Sequence, residues 1–159
     1  MMDDEFVREE LIRAIQAEKW GYEFYIEASR KAKDLNAKEV FLRMTQDEVQ
    51  HQKILKEMIS KIGEDWDIDN VSPEPLPGLK LPKIEEVKVS DFSDKEALEI
   101  AIKMENAVYN FYMELTNMVG GSEYRKFLKK LADFEKEHFV SLKNSYQEMT
   151  GKPYKQEKS

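Results

Sequence analysis

Two segments of this chain match one another in register. Residues 14–29 read AIQAEKWGYEFYIEAS and residues 101–116 read AIKMENAVYNFYMELT, with Ala, Ile, Glu, Tyr, Phe, Tyr and a later Glu in the same places. Glu18 and Glu105, Tyr22 and Tyr109, and Tyr25 and Tyr112 each stand 87 residues apart. The same offset joins Glu48 to Glu135, His51 to His138, Met44 to Leu131 and Leu55 to Leu142. A register held through two separate segments of each half marks an internal duplication. Whatever one half folds into, the other must fold into as well.

Each half carries two stretches of helical period, in which apolar residues recur in alternate steps of three and four. The first helix is expected over residues 4–33, with the stripe Leu11, Ala14/Ile15, Glu18, Tyr22, Tyr25. The second is expected over 37–62, capped by Asn36 with Glu39 three residues on, and ended by Gly63. Its stripe is Phe41, Met44, Glu48, His51, Leu55, Met58, Ile62. The third starts at a capping box, Ser93-Asp94-Lys95-Glu96, carries Leu98, Ala101/Ile102, Glu105, Tyr109, Tyr112, Thr116 and Val119, and stops at Gly120-Gly121. The fourth is capped by Ser122, carries Tyr124, Leu128, Leu131, Glu135, His138, Leu142, Ser145 and Met149, and ends at Gly151 and Pro153.

Short loops make each pair an antiparallel hairpin, over residues 4–62 and 94–150. Residues 63–93 between them hold four prolines and no helical period. A helix of this length spans roughly 40 Å at 1.5 Å per residue, which about thirty extended residues cover easily. The long segment therefore lets the chain return along the bundle and set helix 3 parallel to helix 2. The expectation is an all-α, single-domain four-helix bundle with one long crossover between helices 2 and 3, followed by a solvated lysine-rich tail over 151–159.

The polar residues in mid-stripe carry the functional signal. Each of the four stripes is interrupted at its middle, by Glu18, by Glu48-x-x-His51, by Glu105 and by Glu135-x-x-His138. Residues three apart on a helix share a face, so each Glu and its His point the same way. The chain holds only two histidines, and each follows a glutamate by three residues. Packed together, four carboxylates and two imidazoles would sit at the centre of an apolar bundle. Four buried carboxylates cannot all stay ionised unaided. Two divalent cations would supply the missing charge, and this donor set suits iron, manganese or zinc. The pattern thus predicts a dinuclear metal site on Glu18, Glu48, His51, Glu105, Glu135 and His138. Tyr22, Tyr25, Tyr109 and Tyr112 read as core aromatics. Tyr25 and Tyr112, two turns beyond Glu18 and Glu105, are also candidates to hydrogen-bond a ligating carboxylate. The methionines read as core filler, and Trp20 and Trp66 carry no functional signal.

Composition narrows the partners. The net charge of −7 is no footprint for nucleic acid and should be repelled by anionic membranes. There is no cysteine, hence no disulfide or thiolate site, and the acidic N-terminus MMDDEFVREE does not read as a signal peptide. A cytoplasmic location is expected.

The six positions and the bundle with its crossover resemble the rubrerythrin branch of the ferritin-like di-iron carboxylate superfamily, over residues 4–150. The resemblance implies a di-iron centre bridged by Glu48 and Glu135, with Glu18 and Glu105 as terminal ligands and one His per metal. It also implies a homodimer, in which the crossover would allow hairpins to be exchanged between chains. Two departures stand out. Rubrerythrins proper carry a Cys-rich, rubredoxin-like domain, and a chain without cysteine would need a separate electron-donor protein. They also carry an extra carboxylate one turn after the third-helix Glu, where this chain has Val108. The function expected is an oxidoreductase acting on hydrogen peroxide or dioxygen, in a role protective against oxidative stress. The alternatives are a ferroxidase or iron-handling protein, and a non-catalytic metal-binding bundle that docks a partner.

Overall fold

The computed structural model describes residues 4–62 and 67–155. The four expected helices are α1 (Asp4–Lys31), α2 (Leu35–Ile62), α4 (Asp94–Met118) and α5 (Ser122–Thr150), with a short α3 (Ile84–Val89) in the crossover. No strand occurs among the described residues, and no helix among them is long and apolar enough to cross a membrane. The helix stop expected at Gly63, Trp66 and the last four residues lie outside the described residues.

The ends of the helices show how local chemistry sets them. Ser93 caps α4 as expected: its hydroxyl accepts from Glu96 N at 3.1 Å, and Ser93 N donates back to Glu96 Oε1. Gly151 ends α5 in the left-handed region at φ 73°. Two caps differ from expectation. Asp34, not Asn36, caps α2, accepting from Ala37 N at 2.9 Å, so the helix begins two residues early at Leu35. Gly121 precedes α5 and Ser122 is its first residue, with no side-chain cap.

Helices α1 and α2 pack as one hairpin and α4 and α5 as the other. Lys61 near the end of α2 pairs with Glu123 at the start of α5. The Asp94 carboxylate at the start of α4 accepts from Lys33 N and Asp34 N, just beyond α1. Hence α1 runs against α4 and α2 against α5, which leaves α2 and α4 parallel. The stripes fill the core between them, with Leu11, Ile15, Phe41, Met44, Leu55, Leu98, Ile102, Leu131 and Leu142 all buried.

The crossover is not wholly irregular. A 3-10 turn at Ile68–Asn70 and then α3 lie along α1. Lys19 Nζ donates to the carbonyls of Ile68, Asp69 and Val71, and Lys31 Nζ to those of Val87, Lys88 and Ser90. Trp20 donates its indole N–H to Pro82 O at 3.0 Å and stacks on Phe24, which stacks on Phe92. Trp20 and Phe24 are therefore buried on a second face of α1. Tyr22 and Tyr109, expected in the core, are only half-buried, because the central line of each helix runs through residues 18, 21 and 25, or 105, 108 and 112.

Candidate metal centre

The bundle brings all six mid-stripe residues to one place, none of them more than 5% exposed. Besides a trio of His51, Glu135 and His138, their ligand atoms form two overlapping groups of four, each within 4.8 Å: Glu18, Glu48, His51 and Glu135, and Glu48, Glu105, Glu135 and His138. Glu48 and Glu135 belong to both groups. Glu18 and His51 come from one hairpin and Glu105 and His138 from the other, and each group of four takes a shared glutamate from the opposite hairpin, so neither hairpin could build the site alone.

Both imidazoles turn Nδ1 toward the carboxylates. His51 Nδ1 lies 3.2 Å from Glu18 Oε2 and 3.0 Å from Glu135 Oε1. His138 Nδ1 lies 3.5 Å from Glu105 Oε1 and 3.9 Å from Glu135 Oε2. The rings stack on one another with centroids 5.2 Å apart. The tyrosine hydroxyls cross between hairpins: Tyr25 donates to Glu105 and Tyr112 to Glu18, each at 2.6 Å. Because α1 and α4 run in opposite directions, a tyrosine two turns beyond its own glutamate comes level with the glutamate of the other helix.

Without a cation the cluster is held by protons. Burial raises the Glu18 pKa, but the His51 charge and hydrogen bonds from Glu48, His51 and Tyr112 outweigh it and bring the group to about 2. Burial and the charge of Glu18 push Glu48 well above the usual carboxylate range. One carboxyl thus stays protonated to bond the other, as like charges at close range require. Burial pulls the His51 pKa down, yet the charge of Glu18 raises it overall. His138 rises to about 9 against the pull of burial, through the charge of Glu105 and its bond to Asp47. Burial and the charge of Glu105 hold Tyr25, and burial and the charge of Glu18 hold Tyr112, well above the usual phenol value, so both remain donors.

The residues fit a metal site. Three buried atoms, Glu105 Oε2, Glu135 Oε1 and His138 Nδ1, have no aligned hydrogen-bond partner among the described residues, and all three face this cluster. Oxygen and imidazole nitrogen are the donors iron and manganese take. Gly21 leaves room beside the shared Glu48: a Cβ there would stand 3.2 Å from the Glu48 carboxyl carbon.

Sequence reasoning missed two neighbours of the centre. Asp47 accepts from His138 Nε2 at 2.9 Å, and the Phe134 ring stacks on His51 with centroids 5.4 Å apart. Each adjoins an expected ligand in sequence, yet acts on a histidine of the other hairpin, and no periodicity carries that signal.

The model of the rubrerythrin family matches residues 9–146. A Thermotoga maritima protein, whose crystal structure is described as that of a candidate ferritin-like diiron-carboxylate protein, is 30% identical. The match covers 91% of this chain and 96% of that one, with a TM-score of 0.71. A hypothetical protein from Pyrococcus furiosus is 24% identical over 93% of each chain, with a TM-score of 0.70. A hypothetical protein from Methanococcus jannaschii, 17% identical, matches over 97% of this chain and 85% of that one, with a TM-score of 0.74. These last two share the fold. No curated protein matches the chain.

Proposed function

This chain belongs to the rubrerythrin family, and on that premise we propose that it is a di-iron carboxylate oxidoreductase. It would reduce hydrogen peroxide or dioxygen with electrons from a separate donor protein. The observation that carries the reading is the sharing of Glu48 and Glu135 between two ligand groups, the arrangement a bridged metal pair requires. Glu18 and His51 would hold one ion, Glu105 and His138 the other, and Glu48 and Glu135 would bridge them.

When bound, two ferrous ions supply the two electrons that reduction of a peroxide O–O bond to water consumes. The chain's own residues set the conditions for that exchange. Tyr25 and Tyr112 hold the terminal carboxylates in place through their hydroxyls. Surrounding burial keeps bulk water out and favours a substrate as small as peroxide or dioxygen over a bulky organic one. Glu48 holds a proton in the metal-free protein that binding must displace. The absence of cysteine favours an external electron donor.

Iron-loaded, reduced protein should consume hydrogen peroxide faster than the same amount of free Fe²⁺, and spectra taken during the reaction should report an oxo-bridged diferric product. No acceleration over free iron would overturn the reading. The second reading, a ferroxidase that handles iron at the same centre, draws on the net charge of −7, which attracts cations. Size separates the two: a homodimer on a sizing column favours the oxidoreductase, and a shell of many subunits favours storage.

A further inference from the structure

We infer that the two metal positions are unequal, and that the one framed by Glu105 and His138 fills first because Asp47 positions His138 for it. The inference rests on the two-metal reading above and concerns what the two hairpins do differently within it.

The difference begins at one pair of repeat positions. Asp47 and Phe134 stand 87 residues apart, each directly before a shared glutamate. Each reaches the histidine of the opposite hairpin. Asp47 accepts a hydrogen bond from His138 Nε2 at 2.9 Å. That bond commits Nε2 as the donor and leaves Nδ1 as the nitrogen available to a cation, turned toward Glu105 and Glu135. A carboxylate behind an imidazole fixes the ring's orientation and makes it a better ligand. Phe134 lies against the face of His51, with planes 17° apart, and a phenyl ring offers no carboxylate to do the same.

A second observation points the same way. Each terminal glutamate gives one oxygen to a tyrosine, Glu18 to Tyr112 and Glu105 to Tyr25. The other oxygens differ. Glu18 Oε2 is bonded by His51 Nδ1 at 3.2 Å, so a cation entering there must break an existing bond. Glu105 Oε2 and His138 Nδ1 have no aligned partner among the described residues, so a cation entering there satisfies atoms that are otherwise stranded. Buried polar atoms without partners are costly, and two of the three lie at that position, while the third, Glu135 Oε1, belongs to a glutamate that both positions share.

The test is an anaerobic calorimetric titration of the metal-free full-length chain with Co²⁺, repeated while following the Co²⁺ ligand-field absorption. The wild-type protein should take up two ions in two separable steps. Asp47→Ala should weaken the tighter step by about 10- to 100-fold and leave the other within twofold. Asp47→Asn, which keeps an acceptor without the charge, should restore part of the loss. His138→Ala should remove the tighter step, and His51→Ala the weaker one. Phe134→Asp, which supplies the missing carboxylate, should strengthen the weaker step and keeps the test alive if Asp47→Ala does not fold. Thermal melts of each metal-free variant control for folding. Two equal steps in the wild type, or equal effects of Asp47→Ala on both steps, would overturn the inference and leave the two-metal reading standing. No Co²⁺ uptake by the wild type would overturn both.

Discussion

Trp20 and Ala107 occupy the same place in the two hairpins, 87 residues apart, yet Trp20 is fully buried and Ala107 partly open. The neighbouring pairs diverge likewise. Phe24 is buried and Phe111 only half so. Lys19 and Lys31 each hold three crossover carbonyls, where the second hairpin has Asn106 and Met118. The crossover is tied to α1 by these bonds and by α3, whereas beside Ala107 and Phe111 its residues Leu76, Pro77, Gly78 and Leu79 border an open cleft. The inward faces have stayed nearly alike, because both build one site. The outward faces have diverged, because they meet the crossover differently. In a duplicated fold, similarity between the copies therefore tracks shared surroundings, and the exceptions inside the site, Asp47 against Phe134 and Gly21 against Val108, are the places to look for unequal function.

That contrast can be broken experimentally. The largest effect should come from Trp20→Ala, which empties a fully buried ring site and should cost about 3–5 kcal/mol. The repeat-related Phe111→Ala should cost roughly 1–2 kcal/mol, because that ring is already partly exposed. Urea unfolding of both measures the difference, and equal losses would mean the crossover does not stabilise α1.

Acid–base behaviour of the metal-free protein should be next in size. The pKa of His138 is raised from its ordinary 6.5 to about 9 in the fold. Its contribution is thus fully present below pH 6.5 and is lost as pH rises through about 9, a fall of roughly 3 kcal/mol. Glu18 acts in the opposite sense: lowered from 4.5 to about 2, it stabilises above pH 4.5 and that share is lost as pH falls through 2. Melting temperatures from about pH 2 to about 10 test both signs, since Asp47→Asn should flatten the alkaline fall and Phe134→Leu should not.

Gly21→Ala should show two smaller effects of opposite sign. Replacing a mid-helix glycine gains about 1 kcal/mol of helix propensity. The new methyl would crowd the Glu48 carboxyl at 3.2 Å, so metal uptake should weaken even where the metal-free protein melts no lower. A variant that binds metal as well as the wild type would show that Glu48 can give way. The least effect should come from Leu42→Lys, on the outer face of α2. Leu42 is 47% exposed and its repeat partner is Lys129, so the metal-free chain should change in stability by no more than about 0.5 kcal/mol.

How much of this was legible beforehand depends on what periodicity encodes. Glu18, Glu48, His51, Glu105, Glu135 and His138 could be named from the chain alone because each interrupts an apolar stripe and each has a partner 87 residues away. The stripes, the hairpins and the Ser93 and Gly151 caps follow from local chemistry in the same way. Asn36 misled because two candidate caps lie two residues apart, and which one binds depends on where the turn closes. Trp20 gave no signal because its partner, the Pro82 carbonyl, is backbone.

The sequence by itself determined that Glu18, Glu48, His51, Glu105, Glu135 and His138 face inward, since a helix of fixed pitch sets them on the same side as the apolar stripe they interrupt. Only the tertiary structure decided whom they face. Tyr25 bonds Glu105, not Glu18, and Asp47 serves His138 across 91 residues, because the antiparallel run and mutual rotation of packed helices choose partners, and neither is written in the pitch of a single helix.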